Sequence, residues 1–227
     1  MAYSLIPCRR YFADILNGTT ATQIEKDENT WPVTRIESIS NGVVDYQRLG
    51  YVTPAANLER FRLSQGDILF SHINSLSMIG ICALYEGAEP LFAGMNLLRL
   101  KPLADAHPKF LYYCFSSTFV RSQVRTYAKP AINQASISTA NLKRVLLPHV
   151  DLATQKAIAV FLDRETDRID QLIEKVGGSN AAKLATEGSF VSLLMEKRAS
   201  MITAAVTGQL SVTVEAAESR TPTSHSR

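Results

Sequence analysis

The sequence lacks most of the features that would mark a secreted domain, a membrane protein or an enzyme. It has three cysteines, Cys8, Cys82 and Cys114, an odd count with no CxxC pair. That argues against a disulfide framework and fits reduced thiols in a cytoplasmic protein. Cys82 lies in the apolar run Ile79-Gly80-Ile81-Cys82-Ala83-Leu84, so a core position is expected rather than a reactive one. No window approaches the roughly 20 apolar residues of a transmembrane helix. Residues 1–10 lack a long apolar stretch after a basic start, so no signal peptide is expected.

Catalytic motifs are missing as well. There is no GxxxxGK[ST] loop to cradle a triphosphate and no GxGxxG turn to admit a pyrophosphate. The Asn/Asp-Pro-Pro-Tyr/Phe tetrapeptide of amino-methyltransferases is absent. The histidines, His72, His107, His149 and His225, are scattered, and none falls in an HExxH or Cys/His metal spacing. No serine sits in a GxSxG elbow. A magnesium-dependent nuclease would need clustered carboxylates; Glu86 and Glu89 are the nearest pair, and an exposed turn accounts for them better. The expectation is a protein with no catalytic residue, no metal and no cofactor of its own.

What is present is a globular composition, 46% hydrophobic and 20% charged. The net charge of +3 is unevenly placed, with +4 on residues 1–150 and −1 on the remainder. A mildly basic front suits contact with phosphate. Ordinary scatter of surface charge explains it equally well.

The front of the chain reads as mixed α and β. Turn signals fall at Asn17-Gly18, Asn41-Gly42 and Ser64-Gln65-Gly66-Asp67, with a polar loop over residues 19–29. Strands are predicted at residues 33–39, 68–71, 78–85, 90–93 and 96–100, forming a compact, largely antiparallel sheet. Residues 73–77 read as a loop. From Pro108, Phe110, Leu111, Cys114, Phe115, Phe119 and Val120 recur at helical spacing and predict one amphipathic helix. Residues 127–138 read as a loop, and Pro148 closes the apolar stretch from Leu142.

The back reads as helical. Asp151 is placed to cap a helix along which Ile158, Leu162, Ile169, Leu172 and Val176 line one seam, with Leu162, Ile169 and Val176 seven apart. Gly177-Gly178 interrupts it. A second helical pattern runs from Phe190 through Leu194, Met201 and Val206, and Gly208 is a fitting stop. Three regions are expected: a globular domain at 1–148, a helical region at 149–210 and a disordered tail at 211–227.

The stretch LLPHVDLATQKAIAVFLDRETDRIDQLIEK, residues 146–175, resembles the helical region of type I restriction-modification specificity subunits. The resemblance rests on Leu147-Pro148, Gln155, Ile158, Phe161-Leu162-Asp163, Thr166, Ile169-Asp170 and Leu172-Ile173. Leu193–Arg198 and ITAAVTG, residues 202–208, are similar to the closing segment of that region. In the front, Gly66–Ser71 with Ile79-Gly80, and Ile132–Ser138, are similar to parts of the family's target recognition domain. Two departures stand out. Thr154 takes the place of an acidic residue, and residues 176–192 form a longer segment carrying Gly177, Gly178 and Gly188. Each helical glycine costs about 1 kcal/mol relative to alanine, so the two adjacent glycines weigh against one straight helix, and the region reads as either a coiled-coil-like spacer or a helical hairpin.

The resemblance implies an α+β recognition domain on a long helical region, reading one half-site of duplex DNA. It implies docking to a methyltransferase subunit and, through the complex, to a restriction/translocase subunit. S-adenosylmethionine, ATP and magnesium would sit on those partners. A complete subunit of this family carries two such domains, so this chain follows half of that plan, and two copies pairing two-fold would rebuild a bipartite site. The candidate DNA-contacting residues are His72, Asn74, Ser75, Arg121, Arg125, Lys129, Asn133, Gln134 and Ser136. Amides suit adenine edges and cations suit phosphate or guanine, while Asn74 and Asn133 also read as simple turn residues. The candidate interface with a second copy or a partner is Ile158, Leu162, Ile169, Leu172, Val176, Leu194 and Met201; the same seam would equally pack on residues 190–206 of its own chain. A helical scaffold or decoy that binds modification subunits without reading DNA is the alternative function.

Overall fold

The structure, a computed structural model, describes residues 3–87, 89–178, 185–186 and 188–212. In chain order the strands are β1 (Ser4–Pro7), β2 (Phe12–Asn17), β3 (Gln23–Ile24), β4 (Trp31–Val33), β5 (Gly50–Val52), β6 (Ile68–Ser71), β7 (Ile73–Asn74), β8 (Cys82–Leu84), β9 (Leu97–Pro102), β10 (Lys129–Ala131), β11 (Gln134–Ser136) and β12 (Leu146–His149). The helices are α1 (Pro108–Ser116), α2 (Thr118–Tyr127), α3 (Thr139–Leu142), α4 (Leu152–Gly177) and α5 (Phe190–Val206).

The fold is α+β and centres on an antiparallel sheet of order β2-β9-β6-β8. All four residues of β6 are buried, and the two-residue period of a strand sorts them to opposite faces. Ile68 and Phe70 join a core with Leu98, Leu100, Phe110, Phe115, Val120 and Val124 under α1 and α2. Leu69 faces the other way, into a core with Ile39, Leu63, Ala83, Leu91 and Leu97. A second sheet, β3-β5-β4, carries a smaller cluster in which Trp31 stacks on Phe92 with ring centroids 4.7 Å apart.

Several local expectations are corrected. The weak alternation over 33–39 is a strand only up to Val33, and Glu37–Ile39 is a 3-10 turn. The polar stretch 19–29 includes the short strand β3. Only Cys82–Leu84 of the predicted 78–85 strand is extended in a ladder. Of residues 90–93, Phe92 forms isolated bridges with Val33 and Arg62 instead of a strand, and Gly94 beyond it lies so close to Thr34 that a Cβ would sit 1.8 Å from the Thr34 carbonyl oxygen. The single helix from Pro108 is two. Ser117 leaves the helical conformation, ends α1 and caps α2, its Oγ accepting from Val120 N–H and donating to the Cys114 carbonyl. Serine is favoured at such a position because its hydroxyl replaces a missing backbone partner.

Asp151 caps α4 as expected, accepting from Thr154 N–H at 2.9 Å. The helix ends at Gly177, and Gly178 has φ of +49°. Helix α5 returns along α4, with Asp170 and Arg198 paired at 3.0 Å. Residues 179–184 and 187 of the connection, and the tail from 213, lie outside the described residues. The helical pair does not stand clear of the front domain: Ile158, Leu162, Ile202, Ala205 and Val206 complete the core that holds Phe110 and Phe115. Among the described residues, no helix is long and apolar enough to cross a membrane.

Candidate nucleic-acid interface

The two loop stretches singled out in the sequence meet in one surface. Residues 129–136 form a hairpin rather than a loop, and β7 pairs onto its inner strand to give a sheet of order β10-β11-β7. Ala135 aligns with Asn74, and Ser136 with Ile73. The backbone of His72 ties the sheet down from both sides. Its carbonyl accepts from Ile137 N–H at 2.9 Å, and its N–H donates to the Asn96 carbonyl at 3.3 Å. His72, Asn74, Ser75, Lys129, Asn133, Gln134 and Ser136 thus share one small sheet and its margins, although about 55 residues separate the two stretches.

The hairpin tip is Ile132-Asn133. Asn133 takes φ of +58°, a left-handed conformation that asparagine tolerates better than most residues. This forces a tight reversal and leaves Ile132 94% exposed. Lys129, Asn133 and Gln134 are exposed beside it. A cleft of about 260 Å³ opens at the hairpin base between His72, Lys129, Ser136, Ser138 and Asn141. Burial lowers the His72 pKa below its ordinary value. Its Nδ1 is buried with no hydrogen-bond partner among the described residues.

Not every candidate is equally free. The Asn74 carboxamide is engaged inside its own loop, donating to Ser71 Oγ at 3.1 Å and accepting from Ser75 N–H at 2.8 Å. The Ser75 hydroxyl lies 3.1 Å from that of Ser77. Arg121 and Arg125 both reach the Ser77 carbonyl, at 3.5 and 3.3 Å. Arg121 is half-buried, and burial lowers its pKa. These two arginines brace the 75–78 turn, and only Arg125 is exposed enough to reach phosphate as well.

The helical seam divides. Ile158, Leu162, Ile169 and Leu194 are buried within this chain, and Met201 packs half-buried on the main core. They are covered within this chain, where α1, α4 and α5 pack against one another. Leu172 and Val176 remain exposed towards the C-terminal end of α4, and Phe190 and Leu193 are exposed at the start of α5.

Sequence reasoning missed Arg9, Lys143 and Arg144. Residues 8–10 form a 3-10 turn laid against residues 142–145, bringing together two basic dipeptides about 134 positions apart. The signal was there as Arg9-Arg10 and Lys143-Arg144, but the strand pairing that joins them was not. The three thiols are buried. Burial pushes Cys8 and Cys82 up to about 12. Among the described residues no group of three or more His, Cys, Asp or Glu side chains could hold a metal ion.

Comparison with known proteins places this geometry. Residues 12–176 match the family described as the type I restriction modification DNA specificity domain. The chain is 40% identical over 186 residues to the type I restriction enzyme MjaX specificity subunit of Methanocaldococcus jannaschii, a match covering 78% of this chain and 44% of that protein. Among solved structures, the HsdS subunit of Thermoanaerobacter tengcongensis shares the fold at a TM-score of 0.56, with 13% identity over 86% of this chain and 48% of that one. The type I S subunit of M. genitalium does so at 0.50, with 18% identity over 81% of this chain and 43% of its own. The chain thus spans about half the length of the relatives it matches.

Proposed function

The chain belongs to the type I restriction-modification specificity family, whose members recognise DNA and are not catalysts, and from that premise we propose that it reads one half-site of a split duplex target. In this reading the β10–β11 hairpin enters a groove. The major groove admits a two-stranded ribbon of this kind. Gln134, Asn133 and Ser136 present donors and acceptors to base edges, with His72 at the hairpin base, and Lys129 and Arg125 meet phosphates. The observation that carries the reading is the convergence of residues 72–75 and 129–136 on one sheet whose hairpin, residues 129–134 with Lys129, is exposed.

The chain acts in the cytoplasm, docked to a methyltransferase subunit and, through it, to a restriction/translocase subunit. The methyl donor, ATP and magnesium belong to those partners. In this reading two copies pair two-fold to build a bipartite site. Leu172, Val176, Phe190 and Leu193 supply the apolar surface for that pairing.

Footprinting the chain together with its modification subunit tests the proposal. A defined bipartite site is protected, and Lys129→Ala with Gln134→Ala weakens the protection. Equal binding to all duplex sequences would sink it and leave the helical-scaffold function.

A further inference from the structure

The cations that sequence reasoning missed form a second surface beside the hairpin. Cys8 N–H donates to the Val145 carbonyl at 2.7 Å, and Arg9 N–H to the Lys143 carbonyl at 3.4 Å. The Cys8 thiol donates to the Leu142 carbonyl at 2.8 Å. These three bonds fix residues 8–9 against 142–145. Arg9, Lys143 and Arg144 are all exposed, and Arg10 adjoins them.

None of the three forms an ion pair among the described residues, whereas Arg35, Arg48, Arg62 and Arg168 each face a carboxylate. Unneutralised cations held together repel one another, and an anion laid across them relieves that repulsion. The surface is continuous with the hairpin. The Arg144 guanidinium lies 5.8 Å from the centre of the Tyr127 ring, two residues before Lys129. The Tyr127 carbonyl accepts from the Asn141 amide at 3.3 Å, and Asn141 lines the cleft with Lys129.

We infer that Arg9, Lys143 and Arg144, continued by Lys129, form a track for the phosphodiester backbone of duplex DNA that sets the register of the hairpin in its groove. This rests on the duplex-reading function and adds its backbone contact. Contacts to phosphate position a protein without reading sequence. The track therefore governs affinity and its salt dependence, and the hairpin governs discrimination between sites.

The test uses the full chain and a duplex of mixed sequence, with dissociation constants measured across sodium chloride concentrations. Each phosphate contact contributes about 0.9 to the logarithmic slope. The triple variant Arg9→Gln, Lys143→Gln, Arg144→Gln is expected to lose about 2.7 from that slope. A control with the same charge change, Lys26→Gln, Arg48→Gln, Arg60→Gln, keeps the wild-type slope. Arg9→Lys with Arg144→Lys also keeps it, which separates charge from the packing of Arg144 on Tyr127. An unchanged slope in the first triple variant, or an equal loss in the control, overturns the track while leaving the hairpin reading intact. Absence of duplex binding by the wild-type chain, with or without its modification subunit, removes the duplex-reading function itself and the track with it.

Discussion

The main-chain N–H of His107 donates to the side-chain oxygen of Gln155 at 2.8 Å, joining the start of α1 to the first turn of α4. The Gln155 side-chain Nε2 in turn donates to the Val150 carbonyl at 2.9 Å. Further along α4, Asp163 accepts from Lys109 Nζ and Tyr113 Oη at 2.9 and 2.8 Å, and the Thr166 hydroxyl lies 3.2 Å from that of Tyr113. Gln155, Asp163 and Thr166 all belong to the motif on which the family resemblance rests. Their common role here is a polar stripe that latches the helical region to the recognition domain at a fixed angle.

Breaking that latch destabilises the whole chain rather than a loop. Gln155 is buried, and its removal strands the His107 N–H and the Val150 carbonyl. Gln155→Ala is expected to cost about 1–3 kcal/mol of unfolding free energy, read from urea denaturation. Gln155→Glu keeps the acceptor for His107 but loses the donor to Val150, so it too lowers stability.

Ile132 separates folding from binding. A 94% exposed side chain contributes nothing to the core, so Ile132→Ser leaves the urea midpoint where it was. If the tip is covered by DNA, the same change weakens binding to the cognate duplex by about 1–2 kcal/mol, roughly 5- to 30-fold. Titration of a fluorescent duplex reads the difference.

The proposed pairing of two copies is tested at the exposed end of the helical pair. Leu172→Glu with Leu193→Glu replaces two half-exposed apolar groups by charges that a two-fold interface would bury unpaired. Solution mass is expected to fall from dimer to monomer, with helicity by circular dichroism unchanged.

The cysteines are inert in the folded chain. Cys8 and Cys82 sit near 12, and burial drives Cys114 well above its ordinary value. Alkylation at pH 8 is expected to modify none of the three in native buffer and all three in denaturant, counted by intact-mass spectrometry.

Asp151 gives α4 a pH-dependent cap. Its bonds to the Thr154 backbone and hydroxyl hold the carboxyl below its ordinary value of 3.8. A depressed carboxylate stabilises the fold above the unfolded value, and that contribution is lost as pH falls through the lower, folded one. Asp151→Ala therefore lowers Tm at pH 7, and the gap between variant and wild type closes below pH 3.8. A gap unchanged down to pH 2 contradicts the cap.

Local chemistry alone determined the start of α4 at Asp151, a break at Gly177-Gly178 and the buried strand at Ile68–Ser71, while the return of the second helix along α4 was decided by packing. Each of the first three depends on near neighbours: a capping carboxylate, two glycines, a run of apolar residues. The helix period also marked Ile158, Leu162 and Ile169 as apolar-facing, but not which partner would cover them. That depended on α1 and α5, since an apolar stripe buries itself against whatever surface the fold brings up. The same limit applies to the candidate interface. Its residue types were legible at 72–75 and 129–136, yet only the pairing of β7 with β11 made one surface of them, and only the contact of residues 8–9 with 142–145 joined Arg9 to Lys143 and Arg144. Hydrogen bonds between segments 61 or more residues apart leave no periodicity in the sequence, so the tertiary structure alone decided them.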